Sequence, residues 1–392
     1  MTSETSADAA SVVRRARGED IPRILDLLTE YELPRSYFEP LYLGDPTYHP
    51  EQSWVIEQDG RLAAHLRLFN RWIRMHDTTL QIAGVGNVIT STAFRGRGHA
   101  GRLLDAMTAA ATSEGFPYSL LWTHLPTLYE RHGWVSIEQQ TVRALLSERS
   151  SDPPIINSFK PEDLPEVIRI YETTNHDRAG PTMRTPDYWR SQLAWLENEP
   201  GDFLVARKPD GSLAGYVRSK ITQSEVKVLE LGVGAEQTDV GRALVARVAR
   251  PRGNHVQARL PPSLLHMIPD SERDTEDDSR FMGRVLSLES LVGTLQPLLL
   301  RRLERAGLRA GACWLTTSAG TAELQLADGH VTLHPGSPVD PRVCLNEGEL
   351  AHLLFHGFDQ MAAELLDGRS DAALLRALFP AQDFVIWPAD AF

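Results

Sequence analysis

Hydrophobic and polar positions along the chain follow two periods, and the changes of period mark out its elements. Val12 to Ala16 reads as a strand. Ile21, Ile24, Leu25 and Leu28 then recur at i, i+3, i+4 and i+7, the stripe of an amphipathic helix, with Asp20 placed to cap it and Pro22 in its first turn. Trp54 to Glu57 and Leu62 to Phe69 flank Asp59-Gly60, a pair that tolerates positive φ, and so predict a hairpin. Gln81 to Thr90 is a further strand. A glycine-rich turn follows, then a helix with Leu103, Leu104, Met107 and Ala111 on one face, then a strand from Ser119 to Thr123.

The same order returns. Gly18-Glu19-Asp20-Ile21-Pro22-Arg23-Ile24-Leu25 is echoed by Pro161-Glu162-Asp163-Leu164-Pro165-Glu166-Val167-Ile168, and Asp59-Gly60-Arg61-Leu62-Ala63-Ala64 by Asp210-Gly211-Ser212-Leu213-Ala214-Gly215. The offsets, 143 and 151 residues, are those of a tandem duplication with one small insertion. The second copy keeps a strand at Leu229 to Gly234 and a helix around Gly241-Arg242-Ala243-Leu244, but lacks the glycine turn and carries Asp239 near its place, so it is expected to be structural.

Beyond it, the acidic stretch Asp270 to Asp278 reads as a solvated linker. The pattern then changes to a helix over about Leu288 to Arg305, strands near Ala312 to Thr317, Ala322 to Leu326 and Val331 to His334, and a helix over about Glu347 to Leu366 that opens with the capping-box spacing Asn346-x-x-Glu349. The whole is expected to be α/β (α+β), with units at residues 1–150, 151–280 and 281–392.

Composition narrows the function. At 392 residues with 42% hydrophobic content there is enough apolar surface for two or three cores. A formal charge of −12 argues against nucleic acid, whose binding rests on Lys and Arg meeting phosphates, and suits attraction of cationic amines. No apolar run approaches the roughly 20 residues of a membrane span, and the first residues lack the regions of a signal peptide. A cytoplasmic protein with a frayed N-terminus and no membrane partner is expected. Cys313 and Cys344 are far apart and read as structural thiols. His352 and His356 share a helix face at metal-pair spacing without a third ligand, so no metal is expected.

The candidate chemistry lies in Arg95-Gly96-Arg97-Gly98-His99-Ala100, between a strand and a helix. Backbone N–H groups at a helix start have no intrahelical partners and converge on a diphosphate, aided by the helix dipole. Gly96 and Gly98 let the backbone approach without a Cβ in the way. Arg95, Arg97 and Arg102 offer positive charge, and His99 a hydrogen bond.

In that setting the sequence resembles the GNAT superfamily, and more closely the enhanced intracellular survival (Eis) type of N-acetyltransferase, at motif level over about Ala83 to Trp134 and at the last residue. The resemblance implies tandem GNAT domains, the N-terminal one active and the central one degenerate, followed by a sterol-carrier-like (SCP2-like) C-terminal domain. It implies acetyl-CoA as cosubstrate, with Val88, Ile89 and Thr90 along the pantetheine arm and thioester, the loop from Arg95 to Ala100 on the pyrophosphate, and Thr123 and His124 beside the thioester. Tyr129, in Pro126-Thr127-Leu128-Tyr129, looks like the family's general acid, and Phe392 carries the position of a terminal carboxylate that acts as base. The family often has a hydrophobic residue where this chain has Asn87. Asp26, Glu30, Tyr31, Trp72 and the aromatic loop Tyr37 to Tyr48 are conjectured to line an acceptor pocket, and Glu130 and His132 read as surface groups or a proton path. The implied acceptor is a primary amine, of an aminoglycoside (hence antibiotic resistance) or another polyamine, and the implied assembly a homo-oligomer such as a hexamer. Acetylation of a biosynthetic metabolite, peptide or lysine side chain, and regulatory binding of acetyl-CoA without catalysis, remain open alternatives.

Overall fold

The computed structural model describes residues 11–146, 154–196, 201–327, 329–338 and 344–390. A first run of elements comprises β1 (Val12–Arg15), α1 (Ile21–Leu28), α2 (Arg35–Glu39), β2 (Ser53–Gln58), β3 (Arg61–Met75), β4 (Thr78–Thr90), α3 (His99–Ser113), β5 (Tyr118–Trp122), α4 (Pro126–Glu130) and β6 (Val135–Ser136). A second comprises β7 (Gln139–Leu145), β8 (Ile155–Ser158), α5 (Leu164–Asn175), β9 (Ala179–Thr182), α6 (Pro186–Leu196), β10 (Phe203–Arg207), β11 (Leu213–Ile221), β12 (Val226–Gly232), α7 (Thr238–Ala249), β13 (His255–Ala258) and β14 (Arg273–Asp278). Last come β15 (Phe281–Val285), α8 (Leu288–Arg305), β16 (Gly311–Thr317), β17 (Gly320–Ala327), β18 (His330–Pro335), β19 (Cys344–Leu345), α9 (Glu347–Phe355), α10 (Gln360–Leu365) and α11 (Ala372–Leu378).

Two large sheets repeat one strand order. The first runs β1-β2-β3-β4-β5-β15-β6, with β9 added beside β3; the second runs β8-β10-β11-β12-β13-β7-β14. Each contains one parallel pair at the corresponding place, β4 with β5 and β12 with β13. The first takes its next-to-outer strand from the last run, β15 lying between β5 and β6; in the second the corresponding place, between β13 and β14, is filled by β7, which opens the second run. The chain therefore crosses between sheets after β6 and again after β14, and the sheets are woven across positions 150 and 280. A smaller sheet, β18-β17-β16-β19, packs with α8 and α9 in the third region.

The echoed sequences fold alike. Gly18–Asp20 and Pro161–Asp163 are both single 3-10 turns, and the carboxylates of Asp20 and Asp163 accept the N–H of Arg17 at 2.8 Å and of Lys160 at 3.0 Å. Asp20 stands at the N-cap position of α1 as expected, but its side chain makes no capping bond to that helix. It closes the preceding turn and pairs with Arg14 at 2.6 Å, as Asp163 pairs with Arg207 at 2.6 Å. The hairpin at Asp59-Gly60 forms with both residues at positive φ.

Two expectations fail for identifiable reasons. The acidic stretch is no linker: Arg273–Asp278 is the edge strand β14, paired along its whole length with β7. Its outward acids suit an edge, where charge discourages further pairing, and the buried Asp278 holds Arg280 at 2.7 Å and also Arg259. The helix over Glu347 to Leu366 breaks after Phe355. Gly357 takes φ +76°, and a Cβ there would stand 2.0 Å from the Pro380 carbonyl oxygen. The capping box at Asn346 and Glu349 does form.

The chain after α11 straps the second unit. Asp383 takes Arg178 at 2.8 Å, the Trp387 indole donates to Asn175 Oδ1 at 3.1 Å, and Asp390 accepts from Arg184 at 2.7 Å. Arg184 also pairs with Glu230, whose other oxygen accepts the Tyr216 hydroxyl at 2.6 Å. Burial alone would raise the Glu230 carboxyl; Arg184 and Arg218 outweigh it and hold it below the ordinary carboxylate range. Arg184→Met takes the shared cation from two buried carboxylates, leaving Glu230 only the more distant Arg218 at 3.9 Å, a cost of about 3–5 kcal/mol. A markedly lower thermal unfolding midpoint is expected; an unchanged one contradicts this role.

Candidate active site

The site begins where two parallel strands part. β4 and β5 pair from Ile82–Tyr118 to Val85–Leu121; β4 then continues to Thr90 while β5 ends at Trp122. The parting coincides with a bulge between β3 and β4, at which Asn87 takes φ +52°. That conformation suits Asn and penalises the hydrophobic residue expected here. The bulge is latched on several sides. The Asn87 carbonyl meets His65 Nδ1 at 2.9 Å, its amide donates to the Tyr42 hydroxyl at 3.0 Å, and the next carbonyl, of Val88, accepts the Tyr31 hydroxyl at 2.7 Å. A carbonyl only accepts, so His65 carries its proton on Nδ1 and turns Nε2 to Ser53 Oγ at 3.1 Å. Burial pushes this imidazole down to about 3, which keeps it neutral. Val88 and Thr90 are half-buried, whereas the Ile89 side chain packs into the core beneath α1.

After Thr90 the chain makes one turn, Thr92–Phe94, and enters the glycine loop. Arg95, Gly96, Arg97 and Gly98 are all exposed, and both glycines take positive φ, +77° and +74°. Gly98 is the N-cap of the 15-residue helix α3, whose first turn presents the N–H groups of His99, Ala100 and Gly101 ahead of the Arg102 to Gly98 bond. The loop and helix start therefore fit a pyrophosphate: backbone donors, no side chain at either glycine, and two arginines at the rim. The imidazole of His99 is 3% exposed and turns into the core, so its backbone rather than its ring faces the loop. Arg102 is engaged with Ser11 at 2.6 Å.

Tyr129 lies on α4, just past the end of β5, 8% exposed, edge-on to Trp134. Burial pushes its phenol up to about 12, against a contact with the Thr123 hydroxyl that lowers it. Thr123 is buried and its oxygen accepts the Leu125 N–H at 2.9 Å, which fixes the turn into α4. His124 is exposed, edge-on to Trp122 at 4.5 Å.

The conjectured acceptor groups are dispersed. Glu30 accepts from Ser91 Oγ at 2.8 Å and Thr92 N at 2.7 Å, capping the turn before the loop, and Asp26 pairs with Arg35. The aromatic loop wraps a buried ion cluster, in which Asp45 takes Arg67 at 2.6 Å and Arg71 at 2.8 Å, with Arg67 against the rings of Phe69, Tyr48 and Tyr42. Trp72 stays on the surface, 46% exposed. His132 pairs with Asp105 of α3 at 2.8 Å and Glu130 is exposed. His352 bonds Asp359 at 2.9 Å and stacks on His356, and no group of three or more His, Cys, Asp or Glu placed to hold a metal occurs among the described residues. Both cysteines are free thiols; burial pushes Cys313 up to about 12. Phe392 lies outside the described residues; Asp390, the last of them, is 2% exposed.

One feature is missing from the motifs. A cavity of about 270 Å³ opens between the two sheets, walled by Trp122 and His124 at the end of β5, by β7, β12 and β13, and by the strap at Ile386 to Pro388. Its walls come from six separate stretches of chain, brought together by the strand crossings and the strap.

Residues 12–137 match a family model described as an acetyltransferase (GNAT) domain. The chain carries a GNAT acetyltransferase domain. By that domain it is an acyl-CoA-dependent acetyltransferase. Its fold is similar over nearly the full length to that of a GCN5-related N-acetyltransferase from Kribbella flavida, at 19% identity and TM-score 0.65, covering 98% of this chain and 99% of that one. A probable N-acyltransferase from Enterococcus faecalis V583 aligns at 16% identity and TM-score 0.71 over 96% and 97% of the two chains. Eis1 from Mycobacterium abscessus aligns at 16% and 0.66 over 98% and 100%. No curated protein sequence matches. No helix among the described residues is long and apolar enough to cross a membrane.

If the Asn87 bulge shapes the cofactor groove, Asn87→Val should strain it by about 1–3 kcal/mol, placing a β-branched residue at positive φ and removing the bond to Tyr42. Calorimetry should show acetyl-CoA binding weakened about tenfold; native affinity would show that the latch is not needed.

Proposed function

We propose that the protein transfers the acetyl group of acetyl-CoA to a primary amine at one site per chain, in the N-terminal unit. The observation that carries the reading is the conjunction of the parted β4 and β5, the exposed glycine loop at the start of α3, and the buried phenol of Tyr129 in the next turn. The backbone of Val88 to Thr90 would hold the pantetheine arm, and Arg95 to Ala100 the pyrophosphate, with Thr123 and His124 beside the thioester. Bound acetyl-CoA supplies an activated acetyl thioester. Tyr129 Oη holds a proton at every physiological pH and delivers it to the departing sulfur. The β4 backbone, held by His65, Tyr42 and Tyr31, keeps the groove open without rearrangement.

The equivalent parting in the second unit supports a single site. β12 and β13 pair from Val226–Val256 to Val228–Ala258 and then separate, but there the turn Pro388–Asp390 packs on β12, and α7 starts with Asp239 rather than a glycine loop. We read this unit as a degenerate copy and the third region as the sterol-carrier-like domain. An aminoglycoside acceptor, a homo-oligomer and a base formed by the carboxylate of Phe392 rest on the Eis resemblance. The strap brings Asp390 toward the first unit, close enough to act on the charge of Arg71, which is compatible with that base.

Two outcomes test the assignment. Tyr129→Phe should lower kcat by about 100-fold or more while leaving acetyl-CoA affinity within about twofold. In the wild type the acid stays protonated until about pH 12, so kcat should rise with pH as the amine and its base deprotonate, with no falling limb below about pH 11. Unchanged turnover in the variant, or a falling limb near pH 8, contradicts the acid. Separately, five residues appended after Phe392 should depress kcat about tenfold or more, with acetyl-CoA affinity intact, if that carboxylate is the base; full activity of the extended chain removes it from the mechanism.

A further inference from the structure

The cavity beside β5 has a chemistry of its own. Lys227, Arg259 and Arg280 line it, and no Asp or Glu does among the described residues. The nearest counter-charge, Asp278, is shared by the two arginines: it takes Arg280 through both oxygens at 2.7 Å and also binds Arg259. Glu276 also acts on Arg280 from outside the lining, but the wall itself carries three cations and no acid, in a chain whose formal charge is −12.

Polar atoms on the wall point to the same kind of ligand. Trp122 Nε1, Gln139 Nε2 and Thr141 Oγ1 are buried with no hydrogen-bond partner, and all three residues line this one cavity. Gln139 is 7% and Thr141 3% exposed. Buried polar groups are nearly always paired, and those that are not call for an explanation. These atoms are closed off from solvent, so they would meet a ligand only after their side chains turn toward the cavity; two are donors and the third, a hydroxyl, can donate, which then suits a ligand rich in acceptor oxygens. The Trp122 ring lies under Arg280 at 4.8 Å, an apolar floor for the rest of the ligand.

The position relates the pocket to the transfer. Trp122 and Thr123 are consecutive at the end of β5 and point to opposite faces. Thr123 touches Tyr129 on one side, and Trp122 faces the cavity on the other. A ligand in the cavity thus lies across the strand end from the general acid.

We propose that the cavity holds an anionic group of the acceptor, so that the enzyme acetylates amines that also carry a carboxylate or a phosphate, in place of the polycationic acceptor that the Eis resemblance implies. This rests on the acetyltransferase reading above. Like charge from Lys227 and the arginines disfavours a second ammonium in the pocket, whereas an oxyanion satisfies both the cations and the orphan donors.

The test compares three small amines, 4-aminobutyrate, O-phosphoethanolamine and 1,4-diaminobutane, with the full chain. Calorimetric binding in the presence of CoA reads the pocket, and thiol release from acetyl-CoA reads the transfer. An anionic amine, of either kind, is expected to bind at least about tenfold more tightly than the diamine, and the two anionic arms tell carboxylate from phosphate. Lys227→Glu should reverse that preference; Lys227→Gln, a milder change, should reduce it, and neither should alter acetyl-CoA affinity. Equal or tighter binding of the diamine, or a preference untouched by both variants, overturns the inference. Charge-selective binding with no thiol release from any amine would retain the pocket while removing the acetyltransferase reading. If the Lys227 variants weaken acetyl-CoA instead, the cavity serves the cosubstrate and the inference fails.

Discussion

The first large sheet is not completed by its own stretch of chain. β15 must return from beyond residue 280 to lie between β5 and β6, and β9 of the second run adds beside β3, whereas the second sheet is built from strands between β7 and β14. This exchange fixes the two units against each other through backbone ladders, which surface ion pairs worth about 0–1 kcal/mol would not do. It also sets the end of β5 and the starts of β7 and β15 around one space. The cavity, with its basic and donor-rich wall, is a direct product of the crossings. So is the stability of their corner, where Asp278 at the end of β14 binds Arg280 just beyond the second crossing.

Within the first unit the site depends on a local departure from the ladder. A regular β4 would stay paired with β3 and present no groove beside β5. The bulge at Asn87 turns the strand, and the bonds from His65, Tyr42 and Tyr31 hold the turn. Beneath them Asp45, carried to about 2 by Arg71 and Arg67 against the raising effect of burial, anchors the aromatic loop that supplies Tyr42. Breaking a buried pair of that kind costs about 3–5 kcal/mol, so the latch rests on a rigid base. In the proposed transfer a groove of this kind acts by positioning, with Tyr129, its phenol raised by burial, as the proposed proton donor.

Much of this was legible in the sequence, because local rules govern it. Apolar periodicity gave α1, α3 and α8, Asp59-Gly60 gave the hairpin, and the glycine loop with its flanking strand and helix gave the GNAT domain. The repeated turn at Asp20 and Asp163 was visible as a pattern, although its hydrogen bonding ran backward from the expected cap. Non-local features were not legible. An acidic run looks the same as a linker or as the solvated edge β14, and only pairing with β7 distinguishes them. Nothing local in the sequence indicated that Asp45 and an aromatic loop would bury His65, Arg67 and Arg71. The break at Gly357 depends on Pro380, and the cavity wall on strand crossings that no short motif encodes.

The central claim is that the chain has one acetyl-CoA site, built on the parted strands of the first unit, while the corresponding parting of the second lacks a glycine loop and has the chain's own strap packed on β12. Isothermal titration with acetyl-CoA measures this directly. One mole bound per mole of chain, lost when Gly98→Val places a β-branched side chain at the positive φ of the α3 cap, is the predicted result. Two moles bound per chain, or one that survives Gly98→Val in a folded protein, would contradict the account.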